Sequence, residues 1–148
     1  MRVSEFMSRN VERIGVGASA RAAREQMFRR RIHHLLVERG GKPCGTLCDR
    51  DVAATDSTGP ARDATVERLF TPLDATVDSD ATMRDVANLM RARDVECLPV
   101  FEDGRVVGIV TIRDVLEFVG RGGATSPGRT RGASLSKRGP RGQQRSVR

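Results

Sequence analysis

A chain of 148 residues with formal charge +7 and neither tryptophan nor tyrosine has room for one domain or two very small ones. The charge suggests a polyanion binder, but its distribution says otherwise. Arg121 to Arg148 hold eight basic and no acidic residues, whereas residues 1–120 hold 18 basic and 19 acidic groups, so the body is nearly neutral. Three cysteines (Cys44, Cys48, Cys97) without a Cys-x-x-Cys exclude a disulfide framework and point to reduced thiols in a cytoplasmic protein. No apolar run approaches the roughly 18 residues of a membrane span, and Arg2, Glu5 and Arg9 interrupt any secretory leader, so no membrane partner is expected.

In chain order, Ser19 reads as the cap of a helix, followed by a strand over Leu35–Val37. A turn at Gly40-Gly41-Lys42-Pro43, a strand over Cys44–Leu47 and a helix from Asp49 come next. An extended segment follows at 75–77. Thr82 caps a second long helix with Asp85 in capping-box position, and Met83, Val86 and Met90 form its apolar stripe. Cys97–Phe101 and Val106–Val110 then read as a hairpin about Asp103-Gly104. The last helix opens at Thr111, places Ile112, Val115, Leu116 and Val119 on one face with Phe118 beside them, and ends at Gly120. The segment from 121 onward holds only Leu135 and Val147 as large aliphatics and cannot bury enough surface to order itself.

The two halves are one unit written twice. Shifted by 63 positions, they coincide without a gap at Val3/Val66, Ala18/Ala81, Arg21/Arg84, Met27/Met90, Arg30/Arg93 and Val37/Val100. The match continues through Gly41/Gly104, Gly45/Gly108, Arg50/Arg113, Asp51/Asp114 and Val52/Val115. The order is β-α-β-β-α, repeated, an α/β (α+β) arrangement. A unit this short buries too little of its own surface to stand alone.

Gly108-Ile109-Val110-Thr111-Ile112-Arg113-Asp114 lies where a strand becomes a helix. The glycine lets backbones approach, Thr111 offers a hydroxyl and helix-start amides that suit a phosphate, and Asp114 is an acceptor able to hold a ribose diol. A capping threonine followed by a solvated aspartate would explain one such stretch. The first copy repeats the glycine, arginine and aspartate in Gly45-Thr46-Leu47-Cys48-Asp49-Arg50-Asp51. With "IHHLLV" and "VECLPV" ahead of the hairpins, this pattern resembles the cystathionine-β-synthase (CBS) domain family over residues 1 to about 120.

That resemblance implies CBS repeats at 1–57 and 66–120 joined by a linker at 58–65; the basic tail at 121–148, expected from its composition to be disordered, lies outside it. The repeats pack with pseudo-twofold symmetry around two clefts for adenosine-containing ligands: AMP, ADP or ATP, with S-adenosylmethionine or NAD as further members of the class. Carried onto this chain, the first cleft takes Thr111, Arg113 and Asp114 with Gly15, Ile32, His33 and His34. The second takes Cys48, Arg50 and Asp51 with Val77, Asp78, Val95, Glu96 and Cys97. Cys48 replaces the family's Thr or Ser with a weak donor, and Asp78 and Glu96 add negative charge beside a phosphate. The first cleft is therefore expected to dominate.

Nothing marks an enzyme: there is no serine elbow, carboxylate pair or phosphate-binding loop. His33 and His34 diverge as neighbours on a strand, and no second ligand pair accompanies them, so no metal is expected. Cys44 and Cys48 stand roughly 13 Å apart along a strand, too far to bridge. Arg29-Arg30-Arg31 suits the end of a helix. The expected function is a stand-alone regulatory module that signals through conformation or a homodimer to a regulated protein. The alternatives are a ligand-free scaffold, or a protein acting through weak, non-specific nucleic-acid contacts of its tail.

Overall fold

The computed structural model describes residues 1–53 and 64–122. The expected linker at 58–65 lies mostly, and the expected tail almost wholly, outside them. Each repeat follows the order read from the sequence, with one short strand added ahead of the second. In the first, β1 (Arg13–Gly15), α1 (Ala20–Arg30), β2 (His34–Arg39), β3 (Lys42–Cys48) and α2 (Asp49–Ala53) follow a 3-10 turn at Val3–Glu5. In the second, β4 (Thr71–Pro72) follows a 3-10 turn at Val66–Arg68. Then come β5 (Val77–Asp78), α3 (Met83–Arg93), β6 (Cys97–Glu102), β7 (Arg105–Thr111) and α4 (Ile112–Gly120). No helix among the described residues is long and apolar enough to cross a membrane.

Local chemistry accounts for the element ends. The Ser19 hydroxyl accepts from the Ala22 N–H at 3.0 Å, and Thr82 and Asp85 form a reciprocal capping box at 3.1 Å in both directions. Each long helix ends on a residue in the left-handed region, Arg31 (φ 56°) and Asp94 (φ 55°). The hairpin turns Gly40-Gly41 (φ 59°, 81°) and Asp103-Gly104 (φ 52°, 79°) have two positive φ values in succession, the geometry that matches strand twist.

In each sheet the first strand runs parallel to the second and the hairpin closes antiparallel. The leading segments, however, are exchanged between repeats. Val3 donates to the Ala81 carbonyl at 2.8 Å, and Ser8 and Ile109 exchange backbone hydrogen bonds at 2.8 and 2.9 Å. Reciprocally, Val66 donates to the Ala18 carbonyl and Ala20 to the Ala64 carbonyl, both at 2.8 Å. β4, although it belongs to the second repeat, extends the first sheet as its fourth strand, pairing Gly45 with Pro72 and Thr46 with Thr71. Val3 and Met7 lie in the second repeat's core, and Val66 in the first. Val3 and Val66 are fully buried, each worth about 1.5–3 kcal/mol. Leu36 meets Cys97 and Ile109 in a third apolar cluster that joins the two repeats.

The last helix differs from its expected face. Val115 and Phe118 point inward, Phe118 meeting Phe6 edge-on at 5.4 Å between ring centroids. Ile112, Leu116 and Val119 form a separate outward stripe, with Leu116 63% and Val119 61% exposed. The spacing 112/116/119 defines a stripe of its own, so the helix is apolar on two sides.

Candidate functional site

The two motifs make equivalent turns from strand into helix. In the second repeat the Thr111 N–H donates to Asp114 Oδ2 at 2.8 Å, with the Thr111 hydroxyl at 3.3 Å. In the first, the Cys48 N–H and thiol donate to Asp51 Oδ2 at 3.2 and 3.1 Å. The thiol thus occupies the place of the hydroxyl. The next amide is also engaged: Asp49 donates to the His33 carbonyl and Ile112 to the Glu96 carbonyl, each at 2.9 Å. The start of α4 therefore presents fewer open amides than its sequence suggests.

A cavity of about 330 Å³ opens where the first repeat's motif meets the second repeat. Cys48, Arg50 and Asp51 line it from the end of β3 and the start of α2, facing Val95, Glu96 and Cys97 from the approach to β6. Six of the eight residues assigned to the second cleft thus come together. Val77 and Asp78 do not line it. Asp78 pairs with Phe101, four residues along β6 from Cys97 and roughly 13 Å away by strand rise, and Val77 is buried in the core. Four residues that the motif comparison did not assign to this cleft also line it: His34, Thr46, Thr71 and Asp94. Thr71 arrives through the exchanged strand, and Asp94 through the left-handed turn that ends α3.

The residues assigned to the first cleft are more dispersed. His34 faces the second cleft's cavity. Ile32 and His33 line a wider, more open hollow of about 650 Å³ under the end of α1, with Met27, Phe28 and Asp49. There His33 Nδ1 lies 2.7 Å from Asp49 Oδ2. Gly15 pairs with Glu38 at the far end of β2. Thr111 and Asp114 stand together, Arg113 is exposed, and Asp114 is half-buried rather than fully solvated.

Electrostatics distinguish the groups. Burial raises the Asp114 carboxyl above its usual value, with the Thr111 hydrogen bonds opposing it. Burial lifts the Cys48 thiol as well, and pushes Cys97 up to about 12. Both thiols are protonated near neutrality and are poor nucleophiles. Arg50 spans the repeats to Glu96 at 3.0 Å across the cavity.

Desolvation by burial lowers His34 below its ordinary 6.5. A depressed pKa in the folded state means that the unfolded chain binds the proton more readily. The contribution of neutral His34 is therefore complete above 6.5 and is lost as pH falls through that value toward the folded pKa. We expect His34→Gln to flatten the decline of Tm between pH 7 and 5, measured by thermal unfolding in matched buffers. An unchanged acid limb would contradict this assignment.

Comparison with known proteins places these features. The family model of the CBS domain matches twice, at residues 3–56 and 66–121. Among curated proteins, a homoserine O-acetyltransferase of Methanohalobium evestigatum is 29% identical over 79% of this chain and 24% of its own length. The magnesium transporter MgtE of Thermus thermophilus is 36% identical over 57% of this chain and 18% of its own. The chain thus spans about a quarter or less of these two relatives. Among solved structures, the CBS domain of NE2398 has a TM-score of 0.70 at 30% identity, covering 80% of this chain and 97% of that one. The CBS domain pair of MJ0100, in complex with 5′-methylthioadenosine and S-adenosyl-L-methionine, has a TM-score of 0.72 at 26% identity, covering 82% and 97%. A repeated β-α-β-β-α unit, a repeated glycine-to-aspartate motif and two successive family matches lead to one assignment: the chain belongs to the CBS domain family, of which it carries two copies in tandem.

Proposed function

We propose that the chain is a non-catalytic regulatory module that takes an adenosine-containing small molecule into a cleft between its repeats. The observation that supports this most directly is the cavity of about 330 Å³ between the Cys48–Asp51 motif and the Asp94–Cys97 segment. That volume lies at the lower end of the roughly 300–1,000 Å³ typical of small-molecule sites. Asp51 supplies the acceptor for a ribose, and Val95 an apolar wall for a base. CBS pairs are regulatory modules, and the MJ0100 pair holds two adenosine derivatives. The test is a thermal-shift screen of the full chain against AMP, ATP, 5′-methylthioadenosine and S-adenosylmethionine. A ligand binding only the native state at 100 times its Kd stabilises by about 2.7 kcal/mol. Absence of any shift with all four would refute adenosine binding and favour the scaffold reading.

Self-association is the proposed route from occupancy to response. The outward stripe of Ile112, Leu116 and Val119 has no cover within the described part of the chain, and a second copy would bury it. We expect a dimer by light scattering at tens of micromolar (about the range where modest interfaces form) and a monomer after Leu116→Asp with Val119→Asp. A wild-type chain that stays monomeric with and without ligand would remove this route.

A further inference from the structure

The cavity between the repeats is lined by an excess of negative charge, and this bears on which adenosine derivative it accepts. Asp51, Asp94 and Glu96 contribute three carboxylates. Arg50 is the single guanidinium among the described lining residues, and Glu96 already engages it at 3.0 Å. His34 is held toward its neutral form by burial and adds little compensating charge near pH 7. The volume leaves no refuge. A sphere of about 330 Å³ is about 9 Å across, close to the Debye length at physiological salt. A phosphate anywhere inside would lie within unscreened reach of carboxylates, and like-charge juxtaposition is strongly unfavourable.

The sister positions have the opposite character. Under the 63-residue shift Asp94 corresponds to Arg31 and Glu96 to His33. Arg31 and Asp94 occupy the same backbone position, ending α1 and α3 in the left-handed region at φ 56° and 55°. An arginine suits the negative end of a helix. An aspartate there opposes the dipole, and glycine or asparagine would serve the turn better. A locally unfavourable residue that lines a cavity is the pattern expected where function outweighs stability.

We infer that this cleft selects adenosine derivatives whose 5′ substituent is uncharged or cationic, a thioether or a sulfonium, and rejects nucleoside phosphates through Asp94 and Glu96. The inference rests on the proposed adenosine occupancy and specifies its ligand class.

Calorimetry on the full chain tests it, with Asp114→Ala present throughout so that only the Asp51 motif is read. 5′-Methylthioadenosine and S-adenosylmethionine should bind at least about tenfold more tightly than AMP or ATP, the gap widening at low salt. The double variant Asp94→Asn with Glu96→Gln should bring this preference for thioether or sulfonium over phosphate to within about threefold. Asp78→Asn, which removes a single carboxylate charge away from the cavity, should leave it in place. Asp94→Asn alone should raise Tm, whereas a structural role for that carboxylate would lower it. AMP binding as tightly as 5′-methylthioadenosine, or a preference untouched by the double variant, overturns the charge selection while adenosine binding survives. No binding of any of the four to the unmodified chain overturns both.

Discussion

Replacing Asp51 with alanine is expected to weaken adenosine-ligand binding about tenfold to a hundredfold, the loss of one hydrogen bond to a charged acceptor worth roughly 1.5–3 kcal/mol. Asp51 lines the cavity between the repeats, and its Oδ2 already holds the Cys48 amide and thiol. The carboxylate is therefore oriented before any ligand arrives, and little ordering cost offsets the bond. Asp114→Ala provides the comparison. Its carboxylate makes the stronger contact to its own motif, 2.8 Å to Thr111 N, and Thr111 retains the hydroxyl that Cys48 lacks. From sequence alone this was the motif expected to dominate, yet the cavity described here lies beside Asp51. Calorimetric titration of both variants with 5′-methylthioadenosine and AMP separates the two clefts. Full retention of thioether binding in Asp51→Ala would mean that the cavity is not the site.

Gly45→Ala should be the most damaging single methyl addition in the fold, costing about 1–3 kcal/mol as overpacking against atoms that cannot move aside. A Cβ on Gly45 would run into the Phe70 ring and the Thr71 carbonyl oxygen of the exchanged segment. A backbone oxygen held in a sheet has nowhere to go. At the equivalent Gly108, a Cβ would meet chiefly the Met7 side chain, with the Ser8 oxygen at 3.0 Å. A thioether can turn away. Gly108→Ala should therefore be milder, and urea unfolding should rank the two in that order. Equal or reversed effects would show that the first repeat accommodates a displaced β4.

Much of this architecture is legible in the residues. The 63-residue period carries the element order, the caps at Ser19 and Thr82 mark where α1 and α3 begin, and Asp103-Gly104 marks a hairpin. The conserved spacing from glycine to aspartate within the chain locates both motifs. Partner identity between elements is less legible. β4 has only two residues, Thr71 and Pro72, and no periodicity announces it. Nothing local shows that it joins the other repeat's sheet, so Thr71 could not be assigned to a cleft. Asp94 was equally hidden, because its place in the cavity depends on a left-handed turn that side-chain pattern does not specify. His34 was placed with His33 in the first cleft because the resemblance carries that segment over as a unit; as strand neighbours the two diverge, and which face meets which cavity rests on packing between sheets. The outward stripe on α4 was present as an apolar excess, but its separation from Val115 and Phe118 follows from the contact that Phe118 makes with Phe6.

The reciprocal exchange of leading segments also has a consequence for biosynthesis. The segment holding Val3 and Ser8 is translated well before its backbone partners, Ala81 and Ile109. At about 5–20 residues per second, these residues wait several seconds for the strand they are to join. The first repeat meanwhile lacks Val66 and β4 until residues beyond 72 have emerged. Neither half can close early and shelter the other during elongation. A nascent chain stalled midway would display Val3, Met7 and the open edge of β3 together, a substrate for chaperones or proteases rather than a half-finished domain pair. Emergence of both repeats is thus built into the topology as a condition for producing the cleft.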